Sequence, residues 1–224
     1  MTNTSSVKIF DLDDTLYSEI TFVKSGFLAV ADMLNSLFGV PQDCVYHYMI
    51  QILHTKGRGK VFDSTLIKHG LFSKKNVNLC INTYRYHIPN INLFDSVRGV
   101  FDNFDTKPYI VTDGNKMVQA SKIKNLGLEN IISKAFVTHR YGIKNAKPSL
   151  YCFNLIKELE GCSWKDIIYI GDNPNKDFVE LNKVGAQTVQ INFGPYANQS
   201  VPKGFNAKYR IESLIELNNL TEIL

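Results

Sequence analysis

The segment Val7-Lys8-Ile9-Phe10-Asp11-Leu12-Asp13-Asp14-Thr15-Leu16 decides how the chain is read. An apolar, strand-like run ends in two carboxylates one residue apart, and a threonine follows. Side chains alternate along a strand, so Asp11 and Asp13 share a side if the extended geometry persists. Two carboxylates at the carboxyl end of a strand repel each other. Both are costly to desolvate unless a cation or a shared proton offsets them. That pairing suits a Mg2+ site with a nucleophile and an acid/base beside it. An Asp-rich turn that caps the following helix is the competing explanation.

Further along, short apolar runs bounded by turn residues recur. They cover residues 107–112, 135–138, 167–171 and 187–191. Such runs fit parallel strands covered on both faces. Helices are expected between them. One spans residues 115–126, with Val118, Ser121, Lys122 and Leu126 at helical spacing and Gly127 as its stop. A second spans 148–160, with Pro148 in its first turn and an apolar stripe of Leu150, Phe153, Ile156 and Leu159. A third is short, over 177–184, before Gly185. Alternating βα units predict an α/β fold, a Rossmann-like, doubly wound parallel sheet whose ligands sit beyond the carboxyl ends of the strands.

The alternation is interrupted once. Roughly ninety residues separate the first two strands, far more than one crossover helix needs. The stretch reads as helical, with apolar stripes through Phe22, Phe27, Leu28, Ala31, Leu34, Leu37 and Phe38, and through Val45, Tyr48, Met49, Ile52 and Leu53. Two more stripes run through Val61, Leu66 and Ile67, and through Val77, Cys80, Ile81 and Tyr84. The predicted organisation is a core of residues 1–17 and 93–224 with a small helical domain, 18–92, inserted.

Composition excludes several classes. Of 224 residues, 44% are hydrophobic and 21% charged, ordinary values for a globular protein. No signal-peptide pattern opens the chain, and no apolar run approaches the roughly 20 residues that cross a bilayer. A cytoplasmic protein without a membrane partner is the default expectation. The net charge of +4 suits an anionic substrate. No dense basic tract argues for a nucleic acid polymer. Cys44, Cys80, Cys152 and Cys162 show no metal-ligand spacing and read as reduced, buried thiols.

Four loops at the predicted carboxyl edge carry polar signals. The first holds Asp11 and Asp13. The second holds Thr112, Asp113 and Gly114, whose hydroxyl and backbone N–H groups suit phosphate oxygens at a helix N-terminus. The third places Lys147 before Pro148. The fourth is Gly171-Asp172-Asn173-Pro174-Asn175-Lys176-Asp177. Any one is weak alone; four in chain order, each after a predicted strand, are specific.

With these motifs the chain resembles the haloacid dehalogenase (HAD) superfamily over nearly its whole length, and the helical insert falls where that family carries a C1 cap. The resemblance implies Mg2+ and an aspartyl-phosphate mechanism. On that likeness Asp11 is the nucleophile and Asp13 the acid/base. Thr112 binds phosphate. Lys147 neutralises the nucleophile and the phosphoryl group. Asp11, Asp172 and the backbone carbonyl of Asp13 hold the metal, and Asp177 supports the site. An acid/base two residues after the nucleophile favours phosphoryl transfer over dehalogenation. Asp14, where mutases of the family often carry Gly, weakly disfavours a mutase. The Asp-Asp-Thr-Leu and Gly-Ile-Lys-Asn-Ala-Lys-Pro forms look most like C1-capped phosphatases such as pyrimidine 5'-nucleotidases and N-acylneuraminate-9-phosphatases. The cations in Arg140-Tyr141-Gly142-Ile143-Lys144-Asn145 depart from that pattern.

The expected activity is hydrolysis of a small phosphorylated metabolite, a sugar phosphate or nucleoside monophosphate, by a monomer or homodimer. Phosphotransfer or phosphomutase activity and a non-catalytic binding module are the alternatives. Within the insert, Gly57-Arg58-Gly59-Lys60 offers Arg58 and Lys60 to an anionic group, or is simply a solvated loop. Arg85, His87 and Tyr17 are weaker candidates. His47, His54, His69 and His139 show no metal spacing, and Trp164 beside a cap at Ser163 reads as packing.

Overall fold

The computed structural model describes residues 6–220. Its residues separate into two compact units, one of residues 1–18 and 92–224 and one of residues 19–91.

The first unit is built on a six-stranded parallel sheet. Its strands are β1 (Val7–Phe10), β2 (Tyr109–Thr112), β3 (Lys134–Val137), β4 (Ile167–Gly171), β5 (Gln187–Ile191) and β6 (Tyr209–Ile211). The spatial order is β3-β2-β1-β4-β5-β6. The chain therefore winds outward from β1 in one direction and then returns to its other side. That reversal places a crevice at the carboxyl ends of β1, β2 and β4. All residues of β1, β2 and β4 are buried, which is why these strands read as continuous apolar runs. β6 lies at the sheet edge and is only three residues long, too short for a periodic signal.

Among the described residues, the α-helices of this unit are α5 (Ser96–Asp102), α6 (Lys116–Asn125), α7 (Tyr151–Glu160), α8 (Val179–Val184) and α9 (Leu217–Leu220). Here α7 corrects the expected start at Pro148. Ser149 N–H bonds back to the Ala146 carbonyl at 3.0 Å, so a turn occupies residues 146–149 and Leu150 becomes the N-cap. Its buried face is Cys152, Phe153 and Ile156, whereas Leu159 is exposed. They join Val7, Ile9, Tyr109, Val111, Ile167, Tyr169 and Phe178 in one core. At the expected cap, the Ser163 N–H and hydroxyl both donate to Asp166 Oδ2, at 2.8 and 2.7 Å, across the turn that holds Trp164.

The second unit is helical: α1 (Glu19–Phe38), α2 (Gln42–Lys56), α3 (Val61–Lys68) and α4 (Lys74–Tyr86). Val23, Phe27, Val30, Ala31, Leu34, Val45, Met49, Ile52, Val61, Leu66 and Cys80 form its own core. The stripe expected on α1 is narrower than read: Leu28, Leu37 and Phe38 are exposed. Ile67 on α3 is exposed as well. The sequence expectation that no apolar run is long enough to cross a bilayer also needs correction. By length and composition alone, the 20-residue α1 passes that test. Its seven buried residues lie at helical spacing on one side, the mark of a helix that packs against a core.

Candidate active site

The carboxyl ends of β1 and β4 bring three carboxylates together. Asp11 extends β1 by one residue, its N–H bonding the Ile170 carbonyl of β4 at 2.8 Å. Asp172 and Asp177 come from the loop after β4. One oxygen from each of Asp11, Asp172 and Asp177 lies within 4.8 Å of the others, and all three residues are buried. Gly171 makes this possible: a Cβ there would stand 2.5 Å from the Asp177 Oδ2. Any side chain at 171 pushes that carboxylate off the end of β4.

Lys147 answers the charge. Its Nζ lies 2.8 Å from Asp11 Oδ1 and 2.8 Å from Asp177 Oδ1. It also donates to the Tyr169 hydroxyl at 2.9 Å. Those three acceptors use all three ammonium protons. The Tyr169 hydroxyl in turn donates to Asp177 Oδ1 at 3.2 Å, and Asn173 N–H donates to Asp177 Oδ2 at 2.9 Å. Asp177 is thus the carboxylate that fixes Lys147.

One ammonium does not balance three buried carboxylates. Burial pushes the Asp11 carboxyl up to about 6, although Lys147 pulls the other way. Burial, reinforced by Asp11 and Asp177, pushes Asp172 up to about 9. Lys147 itself is held well above its ordinary range, because the surrounding carboxylates outweigh its burial. Three clustered carboxylates whose ionised forms are costly here make a set of oxygen donors that a divalent cation would fit. Three hard oxygen donors without sulfur or imidazole suit Mg2+ rather than a soft metal.

Asp13 is held apart from this group. Its Oδ1 accepts from the Tyr17 hydroxyl and from Lys122 Nζ at 2.7 Å; its Oδ2 accepts from Gln119 Nε2 at 2.9 Å. Burial alone would raise its carboxyl, but Lys122 and these hydrogen bonds hold it below the usual carboxylate range. The Asp13 side chain thus stands outside the three-carboxylate cluster, which agrees with the expectation that only its backbone carbonyl faces a metal.

The loop after β2 supplies Thr112, Asp113 and Gly114. The Thr112 hydroxyl accepts from Gln119 Nε2 at 2.7 Å. Asn115 caps α6, accepting from the N–H groups of Met117 and Val118, so the helix begins directly after this loop. The Asp113 carboxylate, which the phosphate-loop expectation did not use, is engaged elsewhere. It accepts from Thr138 Oγ1 at 2.7 Å, from Lys147 N–H at 3.1 Å and from Lys176 Nζ at 3.2 Å. It ties together the loops that follow β2, β3 and β4. An anionic side chain so engaged is no phosphate ligand, which leaves the Thr112 hydroxyl and the backbone N–H groups of 113 and 114.

Four residues of this network went without a role in the sequence: Gln119, Lys122, Lys176 and Tyr169. Gln119 and Lys122 are one helical turn apart on α6 and buried, yet on a polar helix they resemble a solvated face. Tyr169 hides in an apolar strand. Tyr17 appeared as a weak substrate candidate and instead bonds Asp13. Arg58 and Lys60 belong to the helical unit, where Arg58 forms a two-pronged ion pair with Glu19, at 2.9 and 2.6 Å. Lys60 is exposed.

The profile of the family described as haloacid dehalogenase-like hydrolase matches residues 8–191. The chain belongs to that family. Among HAD proteins it is similar to a glyceraldehyde 3-phosphate phosphatase of Methanocaldococcus jannaschii, 27% identical over 96% of each chain. A protein of the same name from Pyrococcus furiosus is 24% identical, over 96% of this chain and 92% of its own. Among solved HAD structures, a putative HAD-hydrolase of Bacillus subtilis bound to magnesium superposes with a TM-score of 0.66 at 22% identity, covering 98% of this chain and 99% of its own. The two phosphatases carry neither the pyrimidine 5'-nucleotidase name nor the N-acylneuraminate-9-phosphatase name.

Proposed function

We propose that the protein is a Mg2+-dependent phosphomonoester hydrolase that works through an aspartyl-phosphate on Asp11. The observation that carries this reading is the contact between Asp11 and Lys147, buried beside Asp172 and Asp177 at the switch point of the sheet. A carboxylate attacks phosphorus only where the charge of both partners is offset. Lys147 does this from 2.8 Å away from Asp11 Oδ1. Asp11 and Asp172 would hold Mg2+ by their side chains and Asp13 by its backbone carbonyl, and Asp177 completes the oxygen cluster. When bound, Mg2+ supplies positive charge against the phosphoryl oxygens.

In the first half-reaction, Asp11 attacks phosphorus while Asp13, which must first take up a proton because its surroundings favour the ionised form, gives that proton to the departing oxygen. In the second, Asp13 takes a proton from the water that hydrolyses the acyl phosphate. The Thr112 hydroxyl and the N–H groups at the start of α6 hold the phosphoryl oxygens. The helical unit is proposed as the cap that selects the leaving group, with Arg58 and Lys60 its candidate specificity residues.

The names of the similar phosphatases support a sugar phosphate of three carbons as the first substrate to try, with nucleoside monophosphates second. Phosphate release from such a panel, with Mg2+ and with EDTA, tests the reading. Mg2+-dependent release from one metabolite far above the rest is expected. Transfer of phosphate to an acceptor, without release to water, would instead support a phosphotransferase or mutase. No turnover of any kind would leave the non-catalytic module.

A pH dependence follows from the same carboxylates. Unfolded, they titrate near 4; folded, Asp11 titrates at about 6 and Asp172 at about 9. Between those limits the folded chain binds more protons than the unfolded one, so its stability falls as pH rises. In EDTA the melting temperature is expected to drop from pH 5 to pH 8.5. The gain from adding Mg2+ is expected to grow over the same range, because binding displaces those protons. Asp172→Asn should flatten both trends. A stabilisation by Mg2+ that is independent of pH would contradict the proposed ligands.

A further inference from the structure

The surroundings of Asp13 are built more thoroughly than an acid/base carboxylate alone requires. Three donors among the described residues reach it: the Tyr17 hydroxyl and Lys122 Nζ on Oδ1, and Gln119 Nε2 on Oδ2. A carboxylate accepts at about four positions. The one left lies on Oδ2. The side chain retains 22% of its exposure, whereas that of Lys122 retains 4%. Lys122 is thus the more deeply buried partner, and Oδ2, with one acceptor position open, is the oxygen placed to exchange a proton. The second proton of the Gln119 amide goes to Thr112 Oγ1 at 2.7 Å. Both amide protons are spent, one on the oxygen that would move a proton and one on the hydroxyl that would hold phosphate.

Resting on the reading of Asp13 as acid/base, we infer that Lys122 and Gln119 are positioning residues: they lock the Asp13 carboxylate so that Oδ2 alone transfers the proton, in fixed register with Thr112. Both come from one turn of α6, and α6 starts from the phosphate loop itself. In the first half-reaction the proton on Oδ2 passes to the leaving oxygen as its bond to phosphorus breaks and the bond from Asp11 forms. In the second, a water oxygen bonds to phosphorus, its proton passes to Oδ2, and the bond to Asp11 breaks. Orientation of a general acid/base is worth a large part of the roughly 10²–10⁴-fold that such catalysis contributes. Tyr17 and Lys122 hold Oδ1 and keep it from competing.

The test separates the two half-reactions. A nitrophenolate leaves without needing a proton, so with p-nitrophenyl phosphate only the second half-reaction depends on Asp13. Rapid mixing of the Mg2+-loaded protein with this substrate should show Lys122→Met and Gln119→Leu releasing the first nitrophenolate within about threefold of the parent rate. Their later steady turnover should be lower by at least about thirtyfold, within the range general base catalysis supplies. With glycerol phosphate, whose alkoxide needs the proton, kcat should fall while KM changes little. Lys122→Arg, which keeps charge and reach, should restore most of the loss. Gln119→Leu removes no charge and carries the test if Lys122→Met does not fold.

A uniform loss in both phases, or no loss in either, would overturn the inference. Asp13→Asn is the reference. If it splits the two phases and the α6 variants do not, positioning by α6 is wrong. If it does not split them, the acid/base reading beneath it is wrong.

Discussion

Asp11→Asn is expected to lower phosphate release by at least about a thousandfold, as loss of a nucleophile does, and at the same time to raise the melting temperature of the metal-free protein. The two effects have one cause. Asp11 is buried beside Asp172 and Asp177, and it shares the Lys147 ammonium with Asp177. Its ionised form costs stability at neutral pH because burial lifts its carboxyl to about 6. An asparagine has the same shape, and its carbonyl can still accept from Lys147. Lys147 keeps Asp177 as its counter-charge. The backbone bond from residue 11 to Ile170 is untouched. The amide, however, cannot attack phosphorus. Initial rates with Mg2+ and thermal melts in EDTA at pH 8 check both halves. A variant that lost activity because it unfolded would melt lower, and the charge argument would fail with it.

Lys147→Met is expected to fail in the opposite sense, losing both activity and stability. Removing one partner of a buried ion pair costs about 3–5 kcal/mol, because the remaining charge has no compensation. Here Asp11 and Asp177 lose the same ammonium, and Tyr169 loses a donor. The penalty should be larger at pH 8 than at pH 5.5. The lysine itself does not produce that difference. Its pKa is raised in the fold, so its own contribution is complete below its unfolded value and constant across this range. Asp11 and Asp172 produce it, since their raised carboxyls take up protons at lower pH and then need less compensation. Denaturant unfolding of parent and variant in EDTA at the two pH values measures the effect. An equal penalty at both would place the stabilising role of Lys147 in packing rather than charge.

How much of this was legible before the structure depended on where each signal sat. Asp11, Asp13, Lys147, Asp172 and Asp177 follow apolar runs in an ordered series, and a strand end is where an α/β sheet presents polar groups. The sheet read well for the same reason, since strands buried on both faces are continuous in composition. The residues that hold the site from behind gave no such signal. Gln119 and Lys122 are polar residues on a polar helix, and only the tertiary fold shows that their face turns inward to Asp13. Tyr169 is indistinguishable from a core aromatic until its hydroxyl is seen between Lys147 and Asp177. Asp113 read as part of a phosphate loop, yet its carboxylate joins loops distant in sequence. The start of α7 was misplaced because Pro148 fits both a first helical turn and the turn that precedes one.

The most direct measurement is to quench a turning-over mixture of the Mg2+-loaded protein in acid and to look for a phosphoryl group on the peptide that contains Asp11. Asp13→Asn should be included, since slowed hydrolysis makes the intermediate accumulate. A phosphoryl group on Asp11 itself, enriched in Asp13→Asn and absent from Asp11→Asn, is the predicted result. Phosphate release with no phosphoryl group on Asp11 in either protein would contradict the nucleophile assignment and the account built on it.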